Sequence, residues 1–349
     1  MIISVGDKKI GPGEPCYIIA EAGSNHNRDF QTALRLIQIA AKAGANAVKF
    51  QTYTAEKMYS SKTPVFSDLQ KKGYLKSGET IVDLIRRIQI PLEWHDDLAA
   101  ACRDAGVHFL STPFDEEAVR LISDAGAPAL KVASFEIVHI PLLAECARTG
   151  LPILISTGMA SLGDIELALE TIAKNGKSEI ALFHCTSNYP VADEDVNLRA
   201  METLRAAFGL PVGISDHSLG IECDLAAAAM GANMIEKHFT KSRNQPGPDH
   251  GFALEPDELC SMCSGIRRIE KMMGGPQKRR TEAEEEYYQK ARRSLIAATV
   301  IPQGTIITNE MVAIKRPGTG IHPEFFNIII GRRAQTDIEA DQPITWEMV

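Results

Sequence analysis

Short apolar runs alternate with longer amphipathic segments through most of this chain. Eight runs rich in β-branched and aromatic residues fall at 16–20, 47–51, 108–111, 129–133, 153–156, 180–184, 212–215 and 234–238. Their length and composition predict strands. The segments between them have helical spacing; in 32–43, for example, Leu34, Ile37 and Ala41 share one face. Helices are predicted over 32–43, 94–105, 117–125, 142–149, 162–174, 198–208, 221–230 and 256–273, with an extra one near 80–89. Most end at a glycine, the residue that takes the left-handed C′ position without a Cβ penalty. Strand followed by helix, repeated, implies parallel strands, because only a crossover returns the chain to the same edge. Eight such repeats predict an α/β fold, a closed (β/α)8 TIM barrel. An open doubly wound sheet is the alternative.

Two stretches break the rhythm. The connection over 52–78 is long and carries Tyr53, Tyr59, Phe66 and Tyr74, which suits a lid or binding loop. After Gly274-Gly275-Pro276 the barrel pattern stops, and 278–290 (KRRTEAEEEYYQK) reads as a linker or solvated helix. Short β-like runs at 294–300, 305–308 and 311–315 follow, separated by Pro302-Gln303-Gly304 and closed by Pro317-Gly318. The expected organisation is a barrel domain over 1–275, a linker over 276–290 and a small β-rich module over 291–349. A module that small is expected to dock on the barrel or on another subunit.

Composition narrows the class. The chain has 349 residues, 44% hydrophobic and 23% charged, which argues against a disordered chain, a collagen or a coiled coil. The longest nearly apolar stretch, 225–235, is about half the ~20 residues a membrane span needs. A net charge of −8 argues against nucleic acid or an anionic membrane as partner. The start of the sequence carries Asp7, Lys8 and Lys9 and no apolar core, so no secretory signal is expected. With seven scattered cysteines, reduced thiols and a cytoplasmic location are expected. Cys260 and Cys263 form a C-x-x-C inside a helical pattern, without a second pair at zinc spacing, and are expected to be structural.

Polar residues gather at the C-terminal ends of the predicted strands. These are Glu21 and Asn25; Lys49 and Gln51; Ser111, Thr112 and Asp115; Lys131, Ser134 and Glu136; Ser156 and Thr157; His184, Thr186, Ser187 and Tyr189; Ser215, Asp216 and His217; and Glu236, Lys237 and His238. In parallel barrels the active site is built at that end. Lys49 and Lys131 lie inside apolar runs, where an ammonium needs an anion; a phosphate or carboxylate ligand fits, with an internal Glu partner or a Schiff-base role as alternatives. His217 and His238 end neighbouring strands, about 4.8 Å apart, so both could reach one divalent ion. His184 is expected in the core. Glu21 and Glu136 are candidates for acid–base work, or for salt bridges to a barrel lysine. The loop 244–251 (NQPGPDHG) is expected to present Asp249 and His250 over the mouth. Arg316, in KRPGTG, has no role from its position alone.

The motifs AEAGSNHN, KFQTY, STPFD, KVASFEI, STGM, HCTSNYP, ISDHS, EKHFT and PGPDH occur in this order. Together they resemble the sialic acid synthase family: bacterial N-acetylneuraminate synthases and their legionaminic and pseudaminic relatives. The tail, with KRPGTG, resembles the antifreeze-like SAF domain. The resemblance implies condensation of phosphoenolpyruvate with an N-acetylmannosamine-type aldehyde, releasing phosphate, with a divalent metal, Mn2+ or Mg2+. It implies that His217 and His238 bind the metal. Lys49, Lys131, Ser134, Ser156, Ser187 and Ser215 would hold phosphoenolpyruvate, and Glu21 and Glu136 would flank the reacting carbons. Thr112 and Phe114, from STPFD, are taken as substrate-binding, while Gln51, Tyr189 and Asp249 would meet the sugar. Arg316 is expected at the N-acetyl group of a sugar in the other subunit of a homodimer with swapped SAF domains. Ser187 departs from an Asn of some relatives, and Phe135 resembles the pseudaminic branch. EAGSNHN, PGPDH and GTGIHP resemble the neuraminate and legionaminate branch. Other readings are a related barrel acting on a phosphorylated sugar, a lysine-dependent aldolase, and a non-catalytic sugar- or ice-binding protein.

Overall fold

All eight predicted runs are strands in the computed structural model, which describes residues 1–66, 69–70, 73–76 and 78–349. They are β3 (Tyr17–Glu21), β4 (Ala47–Thr52), β5 (His108–Pro113), β6 (Leu130–Val132), β7 (Ile153–Ser156), β8 (Ile180–Cys185), β9 (Val212–Asp216) and β10 (Met234–His238). Every ladder among them is parallel, and the last strand pairs with the first through Met234↔Tyr17 to His238↔Glu21. That pairing rules out the open doubly wound sheet, whose first and last strands do not meet. β5 and β6 touch at the seam without a ladder among the described residues.

Alternation along the strands sorts the side chains into two layers. Tyr17, Ile19, Ala47, Leu110, Ala129, Leu154, Ala181, Phe183 and Met234 point into the barrel and form its apolar floor. Ile18, Val48, Phe50, Phe109, Leu130, Val132, Ile155, Leu182 and Ile235 point outward against the helices. Two residues past the floor, on the same inward face, stand Glu21, Lys49, Thr112, Lys131, Ser156 and Glu236. Period two therefore converts an apolar plug into a polar mouth within one step of each strand.

The bottom of the barrel carries an element with no sequence-based expectation. β1 (Ile3–Val5) and β2 (Lys8–Ile10) form an antiparallel hairpin through Gly6 and Asp7, with Gly6 at φ +58°. Ile3, Val5 and Ile10 are fully buried against the floor. The predicted extra helix is present as Ile81–Ile88, with a Thr80–Asp83 capping box. Cys260 and Cys263 lie in the helix Pro256–Met273, and all seven cysteines are free.

The described residues divide into two compact units, Met1–Gly274 and Gly275–Val349. The second unit has its own core of Leu295, Ala297, Ile301, Ile307, Val312, Ile321, Ile338 and Ile344. β11 (Ser294–Ala297) and β12 (Val312–Lys315) pair antiparallel. Residues 305–308, expected as a β-run, form no strand and contribute one isolated bridge, Ile306↔Arg333. The charged segment before β11 contains a short helix, Glu285–Ala291. No helix among the described residues is long and apolar enough to cross a membrane.

Candidate active site

The centre of the mouth is a buried charge network. Lys49 Nζ lies 2.9 Å from Glu21 Oε2 and donates to Thr112 Oγ1 at 3.1 Å. Lys131 Nζ donates to Ser156 Oγ at 2.6 Å. Both ammonium groups lie 3.6 Å from one oxygen, Glu236 Oε1, which also accepts from Ser215 Oγ at 3.1 Å. Burial disfavours the charge on Lys131, and Glu236 only partly opposes this, so its pKa falls below the ordinary lysine value. On Lys49 the Glu21 and Glu236 carboxylates outweigh burial, and its pKa rises. Glu21 is pushed up to about 7 by burial, against the pull of Lys49.

A second group faces this floor. Gln51 Nε2 donates to Glu21 Oε1 at 2.7 Å, and Ser24 Oγ donates to Asp249 Oδ2 at 3.1 Å. Gly23 lets these side chains converge: a Cβ there would lie 3.0 Å from Asp249 Oδ2, 3.3 Å from Gln51 Nε2 and 3.3 Å from Glu21 Oε1. Gly23 also has φ +48°, which few other residues adopt. Burial raises the pKa of Asp249 despite the Ser24 hydrogen bonds.

The serines after β6 and β8 meet over the loop after β7. Ser134 Oγ accepts from the Gly158 N–H at 3.0 Å. A Cβ on Gly158 would fall 2.3 Å from Ser187 Oγ and 2.8 Å from Ser134 Oγ. Several buried polar atoms here lack a hydrogen-bond partner: Ser187 Oγ, Glu136 Oε2, Glu236 Oε2 and His238 Nδ1. Native proteins leave few such atoms. Others lie elsewhere, among them both oxygens of Asp224; those at the mouth would be satisfied by a polar ligand.

His217 and His238 stand side by side, with ring centroids 5.4 Å apart. Tyr189 packs on His217 at 4.2 Å, and Phe252 packs on His238 at 5.0 Å. His217 Nδ1 is 2.9 Å from the Thr186 carbonyl; a proton there leaves Nε2 as the ligating nitrogen. Burial, reinforced by His217, holds the pKa of His238 well below the usual range and keeps its imidazole neutral. The pair fits two ligands of one divalent ion. Among the described residues no group of three or more His, Cys, Asp or Glu is arranged around an ion, so remaining positions would fall to water or substrate oxygens.

Glu136 sits in the one-turn segment Ser134–Glu136 after β6, and burial pushes its pKa up to about 7. Phe114 packs edge-on against Tyr53 at 5.3 Å. Arg316 belongs to the second unit, precedes a cis Pro317 and is exposed.

Several expected mouth residues face elsewhere. Ser111 points outward and bonds Thr52 Oγ1, which also bonds His95. Asp115 caps the helix Glu116–Asp124. Asn25 donates to the Phe239 carbonyl, and Thr186 Oγ1 to the Asp195 carbonyl. His184, expected in the core, is only half-buried and bonds the Val196 carbonyl on the outer face. Asp216 and Lys237 pair behind the barrel wall. His250 does not reach over the mouth with Asp249; it is buried and bonded to Thr240 Oγ1 at 2.7 Å. Conversely, Gly23, Gly158 and Phe252 belong to the site without having been singled out. Glu236, expected at the mouth from its strand end, is given no role by its position alone, yet both lysines converge on it.

Fold and site together define a (β/α)8 barrel whose mouth holds two lysines paired with internal carboxylates, Glu21 and Glu236. The chain belongs to the NeuB family: the model of that family matches residues 36–278, and a SAF domain matches residues 292–349. It is 38% identical over 348 residues to an N,N'-diacetyllegionaminic acid synthase of Legionella pneumophila, covering 99% of this chain and 97% of that one. It is 41% identical over 333 residues to a protein of the same name from Campylobacter jejuni, covering 94% and 98%. The crystal structure of an N-acetylneuraminic acid (sialic acid) synthetase from Leptospira borgpetersenii superposes with a TM-score of 0.73 at 37% identity, covering 82% of this chain and 94% of that one.

Proposed function

We propose that this chain is a transferase, a nonulosonic acid synthase. It joins phosphoenolpyruvate to N-acetylmannosamine or a 2,4-diacetamido-2,4,6-trideoxymannose, giving N-acetylneuraminate or N,N'-diacetyllegionaminate and phosphate. The observation that carries this reading is the pair of buried ammonium groups, Lys49 and Lys131, both 3.6 Å from one carboxylate oxygen of Glu236 at the C-terminal end of the barrel strands. A ligand with both a phosphate and a carboxylate satisfies two such cations. Ser134, Ser156, Ser187 and Ser215 supply hydroxyls to its oxygens.

The reaction needs C3 of phosphoenolpyruvate beside the sugar aldehyde. Gln51, Tyr189 and Asp249 hold the sugar, with Phe114 and Thr112 lining the approach. The C2=C3 electron pair forms the new bond to the aldehyde carbon, and the aldehyde oxygen takes up a proton. Positive charge develops at C2, where an ionised Glu136 stabilises it. Water then adds to C2, and the bond between C2 and the phosphate oxygen breaks, leaving a ketone and inorganic phosphate. Glu21, titrating near 7, is suited to move a proton between substrate and solvent. A divalent metal such as Mn2+ or Mg2+, held by His217 and His238, would supply Lewis-acid polarisation of the aldehyde.

A second reading, the altrose-configured diacetamido sugar of pseudaminic acid synthesis, rests on the resemblance of Phe135, exposed beside Glu136, to that branch. The seven free thiols support a cytoplasmic setting. The resemblance of the KRPGTG segment supports a homodimer in which Arg316 of one protomer serves the sugar of its partner. Phosphoenolpyruvate labelled with 18O in the bridging position tests the chemistry. Label recovered in phosphate supports C–O cleavage; label retained in the keto acid contradicts it.

A further inference from the structure

One residue before each mouth histidine lies a charged residue that faces the other way. Asp216 precedes His217, Lys237 precedes His238, and alternation sends both behind the barrel wall, under the helix Glu222–Ala229. Each side chain is 1% exposed. Lys237 Nζ donates to the Asp216 carboxylate and, at 2.7 Å, to the Ser218 carbonyl. Asp216 in turn accepts from the Ser218 N–H at 2.8 Å and from Ser218 Oγ at 3.0 Å. Asp224, on the overlying helix, lies 3.7 Å from Lys237. One ammonium therefore ties the residues on both sides of His217 to the residue before His238.

The ladder explains why such a tie is needed. β9 and β10 pair as Ile235↔Ile214, Glu236↔Ser215 and Lys237↔Asp216, and there the ladder ends. His217 is the first residue beyond it. No backbone pairing between these strands sets its distance from His238. Stability alone does not call for a buried ion pair, since replacing one by apolar groups is often neutral or favourable.

We infer that Lys237 and Asp216 are positioning residues for His217 and His238. Their clamp, in place of the ladder, fixes the separation of the imidazoles and so the affinity of the pair for a divalent cation. The inference rests on the metal assignment made above. Changing residues that orient ligating histidines typically costs about 10–100-fold in metal affinity.

The test is Mn2+ binding to the full chain, followed by the loss of the free-ion EPR signal, with thermal unfolding measured in parallel. The Asp216→Asn/Lys237→Met double variant removes the two paired charges together; Asp224, whose pKa burial holds well above the ordinary carboxylate value, stays neutral by keeping its proton. The double variant is expected to unfold close to wild type, yet to bind Mn2+ about 10-fold or more weakly. Ser218→Ala removes only one hydroxyl of the clamp and is expected to weaken binding about threefold. Should the double variant fail to fold, Ser218→Ala carries the test alone. Wild-type affinity in the folded double variant, or in Ser218→Ala if only that folds, overturns the clamp. His238→Gln separates the two levels: if it binds Mn2+ as wild type does, or if wild type binds none, the metal assignment itself fails and the clamp falls with it.

Discussion

Lys49 and Glu21 form an ion pair of 2.9 Å in which the side chains are 4% and 1% exposed. Removing one partner of a buried pair typically costs about 3–5 kcal/mol. Glu21 can escape part of that cost, because burial already holds its pKa near 7 and protonation neutralises it. Lys49→Met is therefore expected to lose more stability above about pH 7 than below it. It is also expected to lose saturation with phosphoenolpyruvate. Thermal unfolding across pH and steady-state kinetics check both; an unchanged KM for phosphoenolpyruvate contradicts the role given to Lys49.

Glu136 separates stability from activity. Burial raises its pKa from 4.5 to about 7, so the folded state binds its proton more tightly than the unfolded chain. Its effect on stability is then unfavourable once ionised, and stability falls as pH rises from the ordinary carboxylate range through about 7. Activity runs the other way, because the ionised form is the one that stabilises charge at C2. Glu136→Gln is expected to lower kcat by about 10²–10³, to flatten the acid limb of the rate profile, and to remove that part of the stability loss. An acid limb that survives unchanged assigns it to another group.

Gly158 is a steric test of the serine cradle. A methyl there would overlap Ser187 Oγ at 2.3 Å and press on Ser134 Oγ at 2.8 Å. Gly158→Ala is expected to raise the KM for phosphoenolpyruvate by about 10-fold or more while the sugar KM changes little. Equal rises in both constants would mean that the cradle does not hold the anion.

Arg316 tests the second unit. Arg316→Ala is expected to raise the sugar KM and leave the phosphoenolpyruvate KM near wild type. Heterodimers of Arg316→Ala with a mouth variant such as Lys131→Met are expected to recover part of the activity, since one of the two sites then has both parts. A strictly monomeric enzyme with full activity contradicts the shared site.

Much of this molecule is legible in its sequence because the barrel repeats one rule. Runs such as 153–156 and 180–184 are short and largely apolar, and helices such as Phe30–Ala43 stop at a glycine, Gly44, with φ +88°. The hairpin Ile3–Ile10 escapes because three-residue strands offer too few positions to show alternation. Within the mouth, nearness to a strand end is not enough. Lys237 and His238 are adjacent, yet one lies behind the wall and the other lines the site. Period two resolves that, as Ile19 and Glu21 show on β3. Loops have no such period, which is why Asp249 and His250 part company. Gly158 is invisible for another reason: its role exists only where the loops after β6, β7 and β8 converge.

The most direct measurement is phosphate release from phosphoenolpyruvate with Mn2+, with and without sugar. The panel is N-acetylmannosamine, 2,4-diacetamido-2,4,6-trideoxymannose and the corresponding altrose, each with an EDTA control. Release that requires a mannose-configured sugar and stops with EDTA is the predicted result. Release only with the altrose sugar would move the chain to the pseudaminic branch, and no release with any sugar would contradict the synthase reading itself.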